Sequence, residues 1–377
     1  MIALLLLLLL GVFATGIARR SDEKDIDMDE LVAKGVADAV ERHHGVVIGE
    51  HLGSGGFGSA FTATSTSDPS DRYAVKFVRA VDDHDRKNFD DECASNMAIT
   101  AYVENAGPGQ HLATCRSCFV LNGYGVLIMR LYPGTLRDIV KNLTTPEVYR
   151  IGAEIARALD TLHARLAIVH LDLKVSNVFL DEDHGVHLAD FGVSVRLDRP
   201  DQRVRMPKER SAPGTRGYKA PEVLLKSDQV GTPADMYGFG ALLHNILLRR
   251  TSWARSSTEL DQWVNYGRKR DHARKPRLPE VLCIDTGLCP LIEQCLSWDP
   301  DQRPTAREAA ATLEALANPS REVLATAPTS SWMQLAVLNI VLALTMVVVA
   351  LVTRAYRALV TAKGLRGRRR TSAIKFF

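Results

Sequence analysis

The sequence predicts an α+β chain of two lobes, a small β-rich one and a larger α-rich one, with a C-terminal transmembrane helix. Three observations lead there. The 377 residues exceed what one compact core usually needs. Strand-like alternation begins near Val46 and gives way after about residue 131 to mostly helical periodicity, through 317. Two long apolar runs bracket the chain, and the second is long enough to cross a bilayer.

The elements follow in order. Residues 1–18, within "MIALLLLLLLGVFATGIARR", have the length of a signal-peptide core, and small residues end the run. The absence of Lys or Arg before it, and Arg19-Arg20 after it, leave a retained anchor or a misassigned start as alternatives. Residues 19–45 form an acidic and amphipathic segment, with one helix expected over 31–44. The core domain is expected over 46–317. Its small lobe, 46–131, has short strands and one helix near 86–105, and its large lobe, 132–317, has a strand-and-loop centre at 167–195. "NPSREVLATAPTSS", 318–331, is a linker. The run 332–353 lacks a polar face and carries Trp332 at one edge and Arg354 beyond the other, as a span does. Residues 354–377 form a basic tail with eight Lys or Arg and no acid.

Composition is that of a globular protein, 46% hydrophobic and 24% charged. The net charge of +3 is too small to point to nucleic acid, and none is expected as a partner.

Polar residues at particular spacings carry the chemistry. "HLGSGGFGSAF" sets Gly53, Gly55 and Gly58 in G-x-G-x-x-G, followed by strand-like rather than helical residues. That predicts a hairpin whose backbone amides approach phosphate oxygens without side-chain obstruction. Lys76 lies on a strand 18 residues later. Glu92, on the following helix, is its best ion-pair partner, with Asp90, Asp91 and Glu104 as competitors. "VHLDLKVSNVF" then places Asp172, Lys174 and Asn177 in an otherwise apolar run, and "LADFGVS" adds Asp190.

This order resembles the protein kinase superfamily, in its Ser/Thr branch. Further signals agree: Ala220-Pro221-Glu222, Asp235 in "DMYGFGALL" and Arg303 in "DQRPTAREA". The resemblance implies a two-lobed kinase fold that uses ATP and Mg²⁺ to phosphorylate protein Ser/Thr hydroxyls. It makes Asp172, Lys174, Lys76 and Glu92 catalytic, and Asn177 and Asp190 metal ligands. It places Leu52, Gly53, Ser54, Gly55, Gly56, Phe57 and Gly58 over the nucleotide. Ala60, Ala74, Met129 and Phe179 would surround adenine, with Arg130 to Tyr132 as the hinge. Asp235 would brace the catalytic loop, Arg303 would pair with Glu222, and Thr215 would bind Asp172 and Lys174. Lys174 and Thr215 carry the Ser/Thr preference. A catalytically weak kinase-like scaffold that binds nucleotide is the alternative. Leu171 is a departure, because many kinases carry there an arginine that pairs with an activation-loop phosphate. Its loss implies no need for that phosphorylation.

The basic tail puts residues 354–377 in the cytosol and the kinase domain in the lumen or outside. A glycosylation sequon at Asn142 fits this orientation. The opposite topology, with a cytosolic kinase, is the alternative. In an oxidising lumen Cys115–Cys118 or Cys283–Cys289 would pair, while Cys295 sits where kinases often bury a free cysteine. The sequence leaves the oligomeric state and the protein substrate open.

Overall fold

The computed structural model describes residues 25–55, 58–205, 212–227, 229–249, 283 and 286–318. The expected signal peptide, transmembrane helix and basic tail lie outside these residues, as do Gly56 and Phe57. Among the described residues no helix is long and apolar enough to cross a membrane.

The small lobe is an antiparallel sheet of β1 (Val46–Gly55), β2 (Gly58–Ser65), β3 (Arg72–Arg79), β4 (Cys115–Leu121) and β5 (Tyr124–Arg130), in the order β1-β2-β3-β5-β4. Alternation sorts its side chains between two faces. Phe61, Ala63, Val75 and Phe77 are buried on one face. Ala60, Ala74 and Lys76 alternate with them along β2 and β3 and belong to the other.

The apolar face is covered by residues that precede β1, with one departure from expectation. The helix expected over 31–44 is two helices, α1 (Met28–Ala33) and α2 (Val36–His44), because Gly35 adopts a left-handed conformation at φ 62° between them. The segment that precedes the core domain packs onto its sheet. Ile26, Leu31, Val36 and Val40 are buried in one cluster with Phe61, Phe77 and Val126. The sheet that starts at Val46 is thus packed against residues that precede it. Helix α3 (Asp83–Ala106) matches the expected helix, starting three residues earlier, where the Asp82 carboxylate accepts from the Asp85 amide.

The large lobe contains α4 (Leu136–Ile139), α5 (Thr145–Thr161), α6 (Pro221–Leu224), α7 (Pro233–Leu247), α8 (Cys289–Cys295) and α9 (Ala306–Ala317). Thr144 and Thr305 begin α5 and α9 with reciprocal bonds to Glu147 and Glu308. Short strands β6 (Gly134–Thr135), β7 (Ile168–Val169), β8 (Val178–Leu180), β9 (Val186–Leu188) and β10 (Val195–Arg196) frame the expected loop centre. Residues 168–180 rest on α5 and α7 within one apolar core that includes Leu159, Leu173 and Phe239.

The cysteines correct one expectation. Cys118 is bonded to Cys93, not to Cys115. Three residues along a strand separate Cα atoms by roughly 10 Å, beyond the reach of a disulfide. Cys93 on α3 lies across from β4, with Cα atoms 5.6 Å apart. Cys283 and Cys289 are bonded as expected, and Cys295 is a buried free thiol whose pKa burial pushes up to about 12.

Candidate active site

The hairpin between β1 and β2 turns back without opening a helix, pairing Gly55 with Gly58. Gly58 has φ 119°, and a Cβ there would sit 1.9 Å from the Phe77 carbonyl oxygen, so a side chain is excluded. Two strands away from β1, Lys76 is aligned with Ala60 and Leu127 by the ladders of β3.

Helix α3 brings Glu92 to that lysine. Phe89, Glu92, Asn96 and Ile99 are buried at helical spacing, while Asp90, Asp91 and Glu104 are exposed, which eliminates the competitors. Lys76 Nζ donates to Glu92 Oε1 at 2.7 Å and to Asp190 Oδ1 at 3.0 Å. Burial works against the ammonium charge, but the Asp190 and Glu92 carboxylates outweigh it and hold the lysine pKa above its ordinary value. Burial likewise opposes ionisation of Asp190, yet Lys76 keeps that carboxyl below the usual carboxylate range. Burial pushes the Glu92 carboxyl up against the pull of Lys76. The three residues bind the two lobes through one charge network.

The loop that carries Asp172 follows β7. Asp235 on α7, almost wholly buried, accepts from the His170 amide at 2.7 Å and the Leu171 amide at 2.8 Å. His163 Nε2 reaches the same carboxylate at 2.8 Å, a third partner that the sequence reading missed because nothing local connects the two residues. The brace holds Leu171 at φ 64°, a conformation that non-glycine residues adopt only when the surroundings enforce it. His170 Nδ1 accepts from the Asp172 amide, and Nε2 donates to the Ala189 carbonyl at 3.0 Å, joining the loop to the residue before Asp190.

Asp172 is the centre of the arrangement. Thr215 Oγ1 donates to its Oδ1 at 2.7 Å, Lys174 Nζ donates to its Oδ2 at 2.6 Å, and Lys174 also reaches Thr215 at 3.2 Å. Asn177 Nδ2 donates to the Asp172 carbonyl at 3.0 Å, which fixes the carboxamide. Gly214, at φ 88°, passes so close that a Cβ would lie 2.2 Å from the Leu171 carbonyl oxygen. Leu171 itself is buried and lines a small hollow with Leu173, Tyr218, Ala220 and Val223. An apolar side chain therefore seats residues 218–223 by packing. Glu222 and Arg303 close that segment with a buried fork, at 2.6 and 2.9 Å.

Asn177 and Asp190 fit a hard divalent ion. Both offer oxygen donors, and the Ala189 amide donates to the Asn177 carbonyl at 2.9 Å, holding the two segments side by side. Among the described residues no group of three His, Cys, Asp or Glu could hold a metal alone, so further ligands would come from phosphate oxygens or water. Several residues expected around adenine come together: Ala74 and Phe179 pack against Cys115, Leu127 and Met129, and Tyr132 approaches the Phe179 ring at 5.4 Å. Leu52 stands at 51% exposure on the strand leading into the glycine hairpin, open to contact. Arg130 turns outward to Glu182 at 2.8 Å.

Fold and site together define a class: a two-lobed scaffold with a glycine-rich hairpin and a strand lysine held by two acids. The family model described as "Protein kinase domain" matches residues 46–313. The chain is 30% identical to the serine/threonine-protein kinase mos of Patiria pectinifera, over 70% of this chain and 73% of that protein. It is 28% identical to the "Probable serine/threonine-protein kinase drkC" of Dictyostelium discoideum, over 72% of this chain and 35% of that one. Identity is 27% to the "Probable cell cycle serine/threonine-protein kinase CDC5 homolog" of Encephalitozoon cuniculi, over 71% and 53%. The chain thus spans about a third to a half of the length of these last two relatives. It belongs to the protein kinase superfamily, in the Ser/Thr branch.

Proposed function

We propose that this chain is an active, membrane-anchored serine/threonine protein kinase that works with ATP and Mg²⁺. The observation that carries the reading is the bonding around Asp172: both carboxylate oxygens are held, by Thr215 and by Lys174. A carboxylate so oriented, at 1% exposure, can take up or direct the proton of an attacking hydroxyl. Lys174 supplies positive charge beside it, and Lys76, set by Glu92, supplies a second cation that can contact nucleotide phosphates. The bound nucleotide supplies the phosphoryl group. Asn177 and Asp190 would hold the metal, Gly53, Gly55 and Gly58 would leave room for phosphates, and Ala60, Ala74, Met129 and Phe179 would receive the base. The names of the relatives support Ser/Thr hydroxyls as acceptors. Full-length protein purified from membranes should transfer labelled phosphate from ATP to a mixed Ser/Thr peptide library. Asp172→Asn should abolish transfer but retain nucleotide binding. Nucleotide binding without transfer by the parent chain would favour the scaffold reading.

The packing of Leu171 supports a kinase ordered without activation-loop phosphate. Ser211 lies outside the described residues. Ser211→Ala should keep activity within a few-fold, and a deep loss restored by an acidic residue would sink the idea.

Residues 332–353 supply the anchor in this proposal, with the kinase domain in the lumen or outside and the tail in the cytosol. The two cysteine bonds favour that side, because such bonds persist in oxidising compartments. Asn142 is exposed in the turn between α4 and α5, open to a glycan. Protease protection on sealed microsomes, with tags near residue 30 and after Phe377, tests the orientation. Digestion of the kinase domain from outside the vesicle would place it in the cytosol.

A further inference from the structure

The glycine hairpin is connected to the N-terminal segment through a line of hydroxyl groups. The Ile26 amide donates to Ser59 Oγ at 2.9 Å. Ser59 Oγ lies 2.8 Å from Ser54 Oγ, and Ser54 Oγ lies 2.9 Å from His51 Nε2. Ser59 has no exposed surface and Ile26 almost none, so the first link is dry. Ser54 and Ser59 are directly opposite in the ladder, one pair before Gly55 and Gly58.

The segment that supplies the Ile26 amide is itself fastened to the sheet. Arg79 Nη1 and Nη2 donate to the two Glu30 oxygens at 2.5 and 2.9 Å, and the Tyr124 hydroxyl also donates to Glu30. One carboxylate thereby ties α1 to the end of β3 and the start of β5. Leu31 and Val36 fill the sheet face behind it.

The hairpin needs such support. Its glycines have no side chains to hold the strands, and glycine has more conformational freedom to lose than any other residue. The register of β1 is also irregular twice just before the turn, between Ile48 and His51 and between His51 and Gly53. The Ser54–Ser59 pair is the first regular cross-strand side-chain contact beyond those breaks.

We infer that Ser59 is a positioning residue for nucleotide binding, through which residues 25–31 hold the glycine hairpin in register. The inference rests on the kinase reading above. Ser59 is buried away from any substrate; it transmits the position of the docked segment to Ser54 and the adjoining Gly55–Gly58 pair. Its effect should therefore appear in the nucleotide KM and not in the phosphoryl-transfer step.

The test uses the full-length protein, ATP as the probe, and steady-state kinetics beside amide hydrogen exchange. Ser59→Ala removes the acceptor of the Ile26 amide while leaving the apolar docking surface. Losing one buried hydrogen bond should raise the KM for ATP about 3- to 10-fold, with kcat within about twofold. Exchange at residues 52–60 should accelerate while residues 36–44 stay protected. Glu30→Gln, remote from the hairpin, should raise the ATP KM in the same direction by loosening the segment. An unchanged KM in both variants, with an active parent, would overturn the inference and leave the kinase reading intact. So would a fall in kcat accompanied by lost protection throughout the sheet, which would mark Ser59 as merely structural. A parent chain that neither binds ATP nor transfers phosphate would overturn both.

Discussion

Arg303→Met is expected to destabilise the large lobe more than any conservative change at its partner Glu222. The Arg303 side chain has no exposed surface and Glu222 has 6%. Their two bonds are only part of what the guanidinium satisfies. Arg303 also donates to the carbonyls of Ser297 at 2.9 Å, Pro233 at 2.8 Å and Trp298 at 3.3 Å, and lies 5.1 Å from the centre of the Tyr237 ring. Methionine fills much of the volume but leaves a buried carboxylate and three carbonyls without this donor. Removing one partner of a buried pair costs about 3–5 kcal/mol. At about 2–4 °C per kcal/mol for a domain of this size, the melting midpoint should fall by roughly 6–20 °C. Glu222→Gln keeps an acceptor and leaves the arginine its three carbonyls, so about 1–3 kcal/mol is expected for one weakened charge-assisted bond. Arg303→Lys should fall between, because an ammonium cannot span both oxygens and the carbonyls. Differential scanning fluorimetry on the parent, the single variants and the Glu222→Gln/Arg303→Met pair gives the cycle. The double variant should be less destabilised than the sum of the two single ones. A midpoint shift below about 3 °C for Arg303→Met would refute the argument that the fork is a buried anchor, as would a larger loss for Glu222→Gln.

Gly58→Ala should weaken ATP binding at least tenfold or prevent folding, since its Cβ would overlap the Phe77 carbonyl oxygen; calorimetric titration with ATP checks it. Cys93→Ser should remove a cross-link closing a loop of about 25 residues and cost about 3 kcal/mol, seen by denaturant unfolding under non-reducing conditions. A Cys93–Cys118 peptide should appear in a non-reduced digest of the parent; a Cys115–Cys118 peptide would contradict the structure. The Glu30 carboxyl is held below its ordinary value of 4.5, chiefly by the bond from Arg79. Its folded pKa is the lower one, so its contribution is complete above the ordinary value and is lost as pH falls through the depressed one. The midpoint difference between the parent and Glu30→Gln should therefore be constant near neutrality and shrink below about pH 4.5.

The candidate site residues were legible because the kinase resemblance restricts both residue type and spacing. Asp172, Lys174 and Asn177 stand within six residues, and charged groups among valines and leucines have few other uses there. Glu92 could be ranked above its neighbours only by helical phase, and burial on α3 supports that ranking. Partners distant in sequence left no such trace. Cys93 and Cys118 are 25 residues apart on different elements, whereas the C-x-x-C spacing suggested a local pair that an extended strand cannot close. His163 reaches Asp235 across 72 residues. The amphipathic stripe of residues 31–44 predicted a buried face but not its counterpart, and Gly35 could as easily have continued the helix as broken it.

The N-terminal cover has a consequence in time. Glu30 and Tyr124 are 94 positions apart, and strand β5 must exist before the carboxylate finds the phenol. At translation rates of about 5–20 residues per second, α1 and α2 leave the ribosome roughly 5–20 s before the sheet that will bury Leu31 and Val36 is complete. During that interval the earliest part of the lobe is the last to be satisfied. The acids clustered in "SDEKDIDMDE" keep that waiting segment strongly hydrated. Within the small lobe, the piece made first is the one placed last.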